Sequence, residues 1–263
     1  MHLNDHKPSS WKETNDSEEF DSALRPYAQT ALPTMSITCP GCQSVVNPKR
    51  FFRDNLRFCF HTGQWYCKGC HLGNTAHLPS QILTNWNFKR FPVCETSFAE
   101  LNATQNEPTL DLAALCPRFY NRLPEFALLR KYRERLISIA EILFPCDARE
   151  SLIDSKPDAR VRMHFFGSGD FVSLVDLLDL KNGRLIPELD NMIRRYKVHI
   201  VSCESCLSRG NLCGLCNSPE ILFPFETETT VRCKTCGHVY HSSCVDMLNA
   251  TGNVKCPNCE KNK

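Results

Sequence analysis

The hydrophobic and polar positions change texture three times along the chain. Residues 1–36 are polar, carry Ser, Pro and the acidic run Asp16-Ser17-Glu18-Glu19, and show no periodic apolar face. That pattern predicts a solvated, unstructured tail, with a short partner-binding motif around Trp11 or Phe20 as the alternative. From residue 37 to 78, β-type residues (Phe58, Phe60, Trp65-Tyr66) lie between glycine-containing turns. From Pro79 to Ile200, apolar residues recur at helical spacing. Pro79 opens a short helix through Ile82, Leu83 and Trp86, and a second helix covers Thr96 to Asn102. The longest runs from Pro124 to Phe144, with Leu128, Leu129, Tyr132, Leu136, Ile139, Ala140 and Leu143 along one stripe. Arg130, Lys131, Arg133, Glu134 and Arg135 form its solvated face, and Pro145 ends it. Ser168 is expected to cap a helix through Phe171, Leu174, Val175 and Leu178, stopped at Asn182-Gly183. Pro187 starts a last helix, with Leu189, Ile193 and Tyr196 inward and Arg194, Arg195 and Lys197 outward, and His199 just beyond its end. Four to six helices thus form a stalk (79–198) between two cysteine-rich modules, 37–78 and 199–260.

Composition turns that pattern into chemistry. The 263 residues include 17 Cys and 9 His, too many for an ordinary hydrophobic core. Met1-His2-Leu3-Asn4-Asp5-His6 is not the start of a secretory signal, and no run approaches the roughly 18–20 apolar residues of a membrane span. The expected setting is therefore the cytoplasm, where paired thiols are kept for metal rather than for disulfides. Thirty-one basic against 29 acidic residues leave a net charge of +2, too balanced to predict nucleic-acid binding.

The cysteines come in pairs two residues apart, the spacing that points two thiolates at one tetrahedral ion. Cys39, Cys42, Cys67 and Cys70 make a complete zinc ribbon-like module, and glycine in each of its knuckles allows the tight turn. Cys59 and His77 are further candidates in that group. The later group holds Cys203, Cys206, Cys213, Cys216, Cys233, Cys236, His241, Cys244, Cys256 and Cys259. Its last four pairs fit a cross-braced module, in outline RING-, FYVE- or C1-like, in which the first and third pairs share one ion and the second and fourth another. The sixteen candidates suffice for about four structural Zn²⁺ ions, although neither group divides by four. One hypothesis shares an ion, with Cys59 and His77 completing Cys203 and Cys206. The other completes each group locally, through His71 and His199. Cys94, Cys116 and Cys146 have no partner two residues away and read as small buried hydrophobes. The fold class expected is a small, zinc-rich α+β protein.

Several of these motifs carry a resemblance. Cys39-Pro-Gly-Cys42, Cys67-Lys-Gly-Cys70-His71, Trp86-Asn-Phe-Lys89, Cys203-x2-Cys206-x6-Cys213-x2-Cys216 and Ile221-Leu-Phe-Pro-Phe-Glu226 together resemble the Rubicon homology domain over residues 37–260. Phe91-Pro-Val-Cys94 and Thr229-Thr-Val-Arg-Cys233 look most like its pleckstrin-homology family M branch. The resemblance implies a non-enzymatic adaptor that binds the GTP-bound late-endosomal and lysosomal Rab GTPase. It implies recruitment from the cytoplasm to late-endosome, lysosome and autophagosome membranes. It also implies that His77 is a ligand and that His241-x2-Cys244 is needed for Rab binding.

Two other functions compete. Cys256-Pro257-Asn258-Cys259 has the proline of many RING ubiquitin ligases, but Cys233-Lys-Thr-Cys236 stands where a Cys-x-His step is expected. A phosphoinositide- or diacylglycerol-binding module is the third reading. Lys89-Arg90 and Arg194-Arg195-x-Lys197 offer auxiliary phosphoinositide contact, while the FYVE basic signature is missing. Partner-facing apolar candidates are Phe165-Phe166, Phe223 and Phe225, and the edge of the long helix, although Leu222 to Phe225 reads first as a strand packed on its own finger.

Overall fold

Short runs of β-type sequence between cysteine knuckles leave no room for long strands. The computed structural model describes residues 32–47, 55–154, 162–250 and 255–261. Among them are six sheets, each an antiparallel pair, with strands of two to four residues. Isolated pairs of this size are marginal in water, so their order must come from what they pack against and what crosslinks them. The described chain falls into two compact units, one ending at Thr104 and the other beginning at Gln105. The boundary lies inside the segment expected as a single stalk. The expected polar tail falls mostly on residues 1–31, outside the described residues.

In the first unit, Leu56–Cys59 pairs with Gln64–Cys67 around a turn in which Gly63 takes a left-handed φ of 69°. Ile37–Thr38 pairs with Val45–Val46, and Thr75–His77 pairs with Arg90–Pro92. Two helices, Pro79–Asn85 and Glu95–Thr104, complete the unit. Trp86, expected inside the first helix, is its left-handed cap at φ 53° and donates its N–H back to the last turn. Leu78 and Leu101 pack with Cys39, Cys59, Tyr66, Val93 and Cys94 in one buried cluster. The second helix, through Leu101, and the residue that precedes the first, Leu78, thus pack into the core of the first cysteine module.

The second unit is built on two long helices, Pro124–Leu143 and Leu185–Ser202, which pack against each other. Phe126, Leu129, Leu136, Ile139 and Leu143 of one, and Leu185, Leu189, Ile193, Tyr196 and Ile200 of the other, are buried. Pro187 is tolerated as the third residue of its helix because its missing N–H is one of the first-turn orphans. The helix runs on to Ser202, so His199 sits within its last turn rather than beyond it.

Two expectations fail on local chemistry. Ser168 is not a cap, because Phe171–Val172 is drawn into a strand with Leu110–Asp111. The cap is Ser173: its hydroxyl accepts the Asp176 N–H at 3.0 Å while the Asp176 carboxylate accepts the Ser173 N–H at 2.7 Å. Arg133, placed on the solvated face of the long helix, is buried instead. Its guanidinium lies 4.9 Å from the Phe165 ring centroid and donates to the Phe171 carbonyl at 2.6 Å. Leu128, counted in the apolar stripe, is exposed. Phe165, Phe166, Phe223 and Phe225 are all buried and so are withdrawn as partner-facing residues. Phe223 and Phe225 stack on one another at 5.3 Å.

A buried ionic knot ties the helices together. Arg162 bonds the Asp176 carboxylate, the Asp179 carboxylate at 2.5 Å and Glu188 at 2.8 Å, while His164 reaches Asp176 at 2.8 Å. Burial alone would raise the Asp176 carboxyl; bonds and charge from His164, Ser173 and Arg162 outweigh it and hold the group below its ordinary value of 3.8. A lowered carboxyl contributes stability above its unfolded pKa, and that contribution fades as the pH falls below about 4. Removing Arg162 takes its arginine from buried Asp176 and one of two from Asp179, which keeps Arg184, so Arg162→Met is expected to cost about 3–5 kcal/mol in chemical denaturation of the metal-loaded protein. A loss under about 1 kcal/mol would mean that the knot behaves as a surface ion pair.

Candidate metal centres

Four sets of cysteine and histidine side chains converge, each with its ligand atoms within 4.8 Å of one another. They are Cys39, Cys42, Cys67 and Cys70; Cys146, His199, Cys203 and Cys206; Cys213, Cys216, His241 and Cys244; and Cys233, Cys236, Cys256 and Cys259. The first quartet lies in the first unit and the other three in the second.

The spacing of donors tests what such sites fit. A tetrahedral ion with metal–sulfur bonds of about 2.3 Å sets sulfurs roughly 3.8 Å apart, and a metal–nitrogen bond near 2.0 Å sets N–S edges of about 3.5 Å. Sulfur pairs stand at 3.6 Å (Cys42 and Cys67), 3.8 Å (Cys146 and Cys203), 3.7 Å (Cys233 and Cys259) and 3.7 Å (Cys236 and Cys256). His199 Nε2 lies 3.4 Å from Cys146 Sγ and 3.6 Å from Cys206 Sγ; His241 Nδ1 lies 3.4 Å from Cys216 Sγ and 3.7 Å from Cys244 Sγ. A disulfide would need about 2.05 Å. The donor sets fit Zn²⁺ by type, number and spacing.

Local folding places the thiols. Each knuckle turns on backbone bonds such as Cys70 N–H to the Cys67 carbonyl at 3.1 Å and Cys259 N–H to the Cys256 carbonyl at 3.1 Å. At Gly41 the backbone passes so close to the facing knuckle that a Cβ would sit 2.8 Å from Cys70 Sγ, which only glycine avoids. In the third quartet His241 faces the sulfurs through Nδ1, and its Nε2 lies 3.1 Å from the Glu220 carboxylate, which fixes the ring.

The electrostatics of each quartet call for a cation. Bonds from the Ser44 hydroxyl and backbone bring Cys42 down to about 6. Burial pushes Cys213 up, but bonds from the His241 and Leu215 backbone outweigh it and leave it at about 6. One thiol of each set is forced up. Burial and neighbouring thiols raise Cys70 and Cys206 to about 12 and Cys244 to about 11; neighbouring Cys236 does most to raise Cys259, also to about 12. Three or four thiolates cannot share one small site unless a divalent ion offsets their charge.

Fourteen of the sixteen expected ligands lie in the quartets; Cys59 and His77 do not. Cys59 is buried, its Sγ 3.7 Å from the Ser97 hydroxyl that also meets Cys94 Sγ at 3.3 Å. His77 faces Arg90 across a strand pair, and burial and that charge hold its imidazole below the ordinary range. His71 has no free nitrogen: Nδ1 accepts the Gly73 N–H at 3.2 Å and Nε2 lies 3.2 Å from the Phe58 carbonyl. The half-shell at Cys203 and Cys206 is completed within its own unit, by Cys146 and His199. This corrects the shared-ion hypothesis and the reading of Cys146 as a small hydrophobe, and it keeps half of the local alternative. His199 stands four residues before Cys203 on a helical turn, which was a usable signal. Cys146 is distant in sequence and becomes visible only once the two long helices pack. The last four pairs combine first with third and second with fourth.

Fold and site together define a mixed helix and small-sheet protein crosslinked by four cysteine–histidine clusters able to hold zinc. The profile of the Rubicon Homology Domain matches residues 57–263, and the chain belongs to that family. It is 30% identical over 231 residues to human pleckstrin homology domain-containing family M member 3, covering 88% of this chain and 29% of that protein. It is 29% identical to the mouse protein associated with UVRAG as autophagy enhancer, covering 88% of this chain and 34% of that one. A Drosophila melanogaster differentially expressed in FDCP 8 homolog is 26% identical, over 88% of this chain and 46% of its own length. The chain thus spans less than half the length of these relatives.

Metal counting by native mass spectrometry tests the ligand assignment. Cys146→Ser is expected to take the count from four ions to three, and Cys59→Ser to leave four. The reverse pattern would restore Cys59 as a ligand.

Proposed function

We propose that this chain is a non-enzymatic, zinc-held adaptor that binds the GTP-bound late-endosomal and lysosomal Rab GTPase in autophagy and endosome–lysosome trafficking. In this reading it is recruited from the cytoplasm to late-endosome, lysosome and autophagosome membranes. Its first module is zinc ribbon-like, and its last is a cross-braced finger of the RING, FYVE and C1 kind. The observation that carries the adaptor role is the closure of the quartets. Each offers an ion four protein donors, which fills a tetrahedral shell and leaves no position for a substrate, so the metal's work is structural. Membership of the Rubicon homology family, and a relative whose name cites autophagy, supply the setting.

Phosphoinositide contact is the weaker part. Arg194 pairs with Asp190, Lys197 pairs with Glu226, and Arg195 lies over the Tyr196 ring, so each of these cations already has a partner. The alternate pairing of the last four pairs also suits a RING ligase. That reading predicts ubiquitin chains with a panel of conjugating enzymes, where the adaptor reading predicts none.

The direct test is capture of the late-endosomal Rab loaded with a GTP analogue or with GDP. Retention of the GTP-analogue form alone is expected. Equal capture of both forms, or of neither, contradicts the Rab reading.

A further inference from the structure

Two of the candidate sites meet on one short strand. Val239–His241 pairs with Thr230–Arg232, and consecutive side chains of a strand point to opposite faces. His241 turns to one side and joins Cys213, Cys216 and Cys244. Its neighbour Tyr240 is buried in the core of the same finger. There its hydroxyl lies 3.2 Å from Cys256 Sγ, a donor of the adjacent quartet, and accepts the Asn258 N–H at 3.3 Å. The hydroxyl has a single proton. With Asn258 donating to its oxygen, that proton is free to point at the sulfur.

We propose that Tyr240 is the positioning residue of the Cys233, Cys236, Cys256 and Cys259 metal site. The phenol holds the Cys256–Cys259 knuckle at two points, the Cys256 sulfur and the Asn258 amide. Both ends of that grip are fixed: the ring is packed in the finger's core, 4.7 Å from the His238 ring, and the oxygen is held by the amide. A hydroxyl bonded to a metal-bound thiolate spreads the charge of the sulfur and sets its direction, as the Glu220 carboxylate does for His241 at the neighbouring site. Because Tyr240 and His241 are adjacent in the chain, one strand holds a ligand of one site and the brace of the other. Nothing in the cysteine spacing records this tyrosine, which ligates nothing itself.

The test is Tyr240→Phe in the full chain loaded with zinc. This substitution keeps the ring and its packing and removes only the oxygen. Release of zinc to the chromogenic chelator 4-(2-pyridylazo)resorcinol is followed, together with iodoacetamide labelling mapped to individual cysteines by mass spectrometry. One of the four metal equivalents is expected to leave about 10- to 100-fold faster than in the unsubstituted protein. Cys233, Cys236, Cys256 and Cys259 should label first, while Cys213, Cys216 and Cys244 keep their protection and the far-ultraviolet dichroism is unchanged. Unchanged release of all four equivalents overturns the proposal. So does labelling that rises equally in both quartets, which would make Tyr240 an ordinary core residue. The metal count of the unsubstituted protein separates an ion that was never there from a tyrosine that does not act on it.

Discussion

The structure depends on one constraint, the convergence of four donors, three or four of them thiolates that repel one another unless a divalent ion sits among them. Pairs of two- to four-residue strands cannot supply their own order, and each finger's apolar core is small. Cys39 and Cys67, or Cys213 and His241, lie on different turns and strands, so an ion joining them crosslinks those segments. Folding and metal binding then share one free energy, and removal of the ion is expected to unfold the fingers rather than merely empty them.

The helical part of the second unit answers the same problem by another route. It has enough length to bury aliphatic side chains along Pro124–Leu143 and Leu185–Ser202, yet it also encloses Arg133 and Arg162. Both arginines are matched to carbonyls, carboxylates or an aromatic face, which is the condition for burying a guanidinium. The Cys146–His199 quartet joins this helical core to the cysteine-rich end, since it takes donors from beyond the first long helix and from the last turn of the second. That quartet therefore continues the helical core, while the last two sites share the finger's own small cluster.

Much of this was legible from residue spacing. Paired cysteines announced three quartets outright, because ligands two residues apart carry their geometry in the sequence. The long helices were legible from periodicity and from Pro124, Pro145 and Pro187. What spacing did not carry was set by packing between distant segments. Cys146 joins His199 only because two helices pack, and Arg133 is buried only because Phe165 and the Phe171 carbonyl close over it. Ser173 rather than Ser168 caps its helix because the intervening residues pair with Leu110–Asp111. Cys59 and His77 stand outside the four quartets for the complementary reason. Residue type suited them to metal, but Ser97 and the backbone satisfy Cys59, and Arg90 faces His77.

Phe165, Phe166, Phe223 and Phe225 lie in the interior, while Phe171 is exposed. The central claim is that each unit closes its own metal shells, one in the first and three in the second. Diffraction from crystals of the zinc-loaded chain, recorded on both sides of the zinc absorption edge, tests this most directly. The account predicts four anomalous peaks, one inside each quartet, with Cys146 and His199 bound to the second ion. An ion held by Cys59 or His77, or a disulfide between any of the paired cysteines, would contradict it.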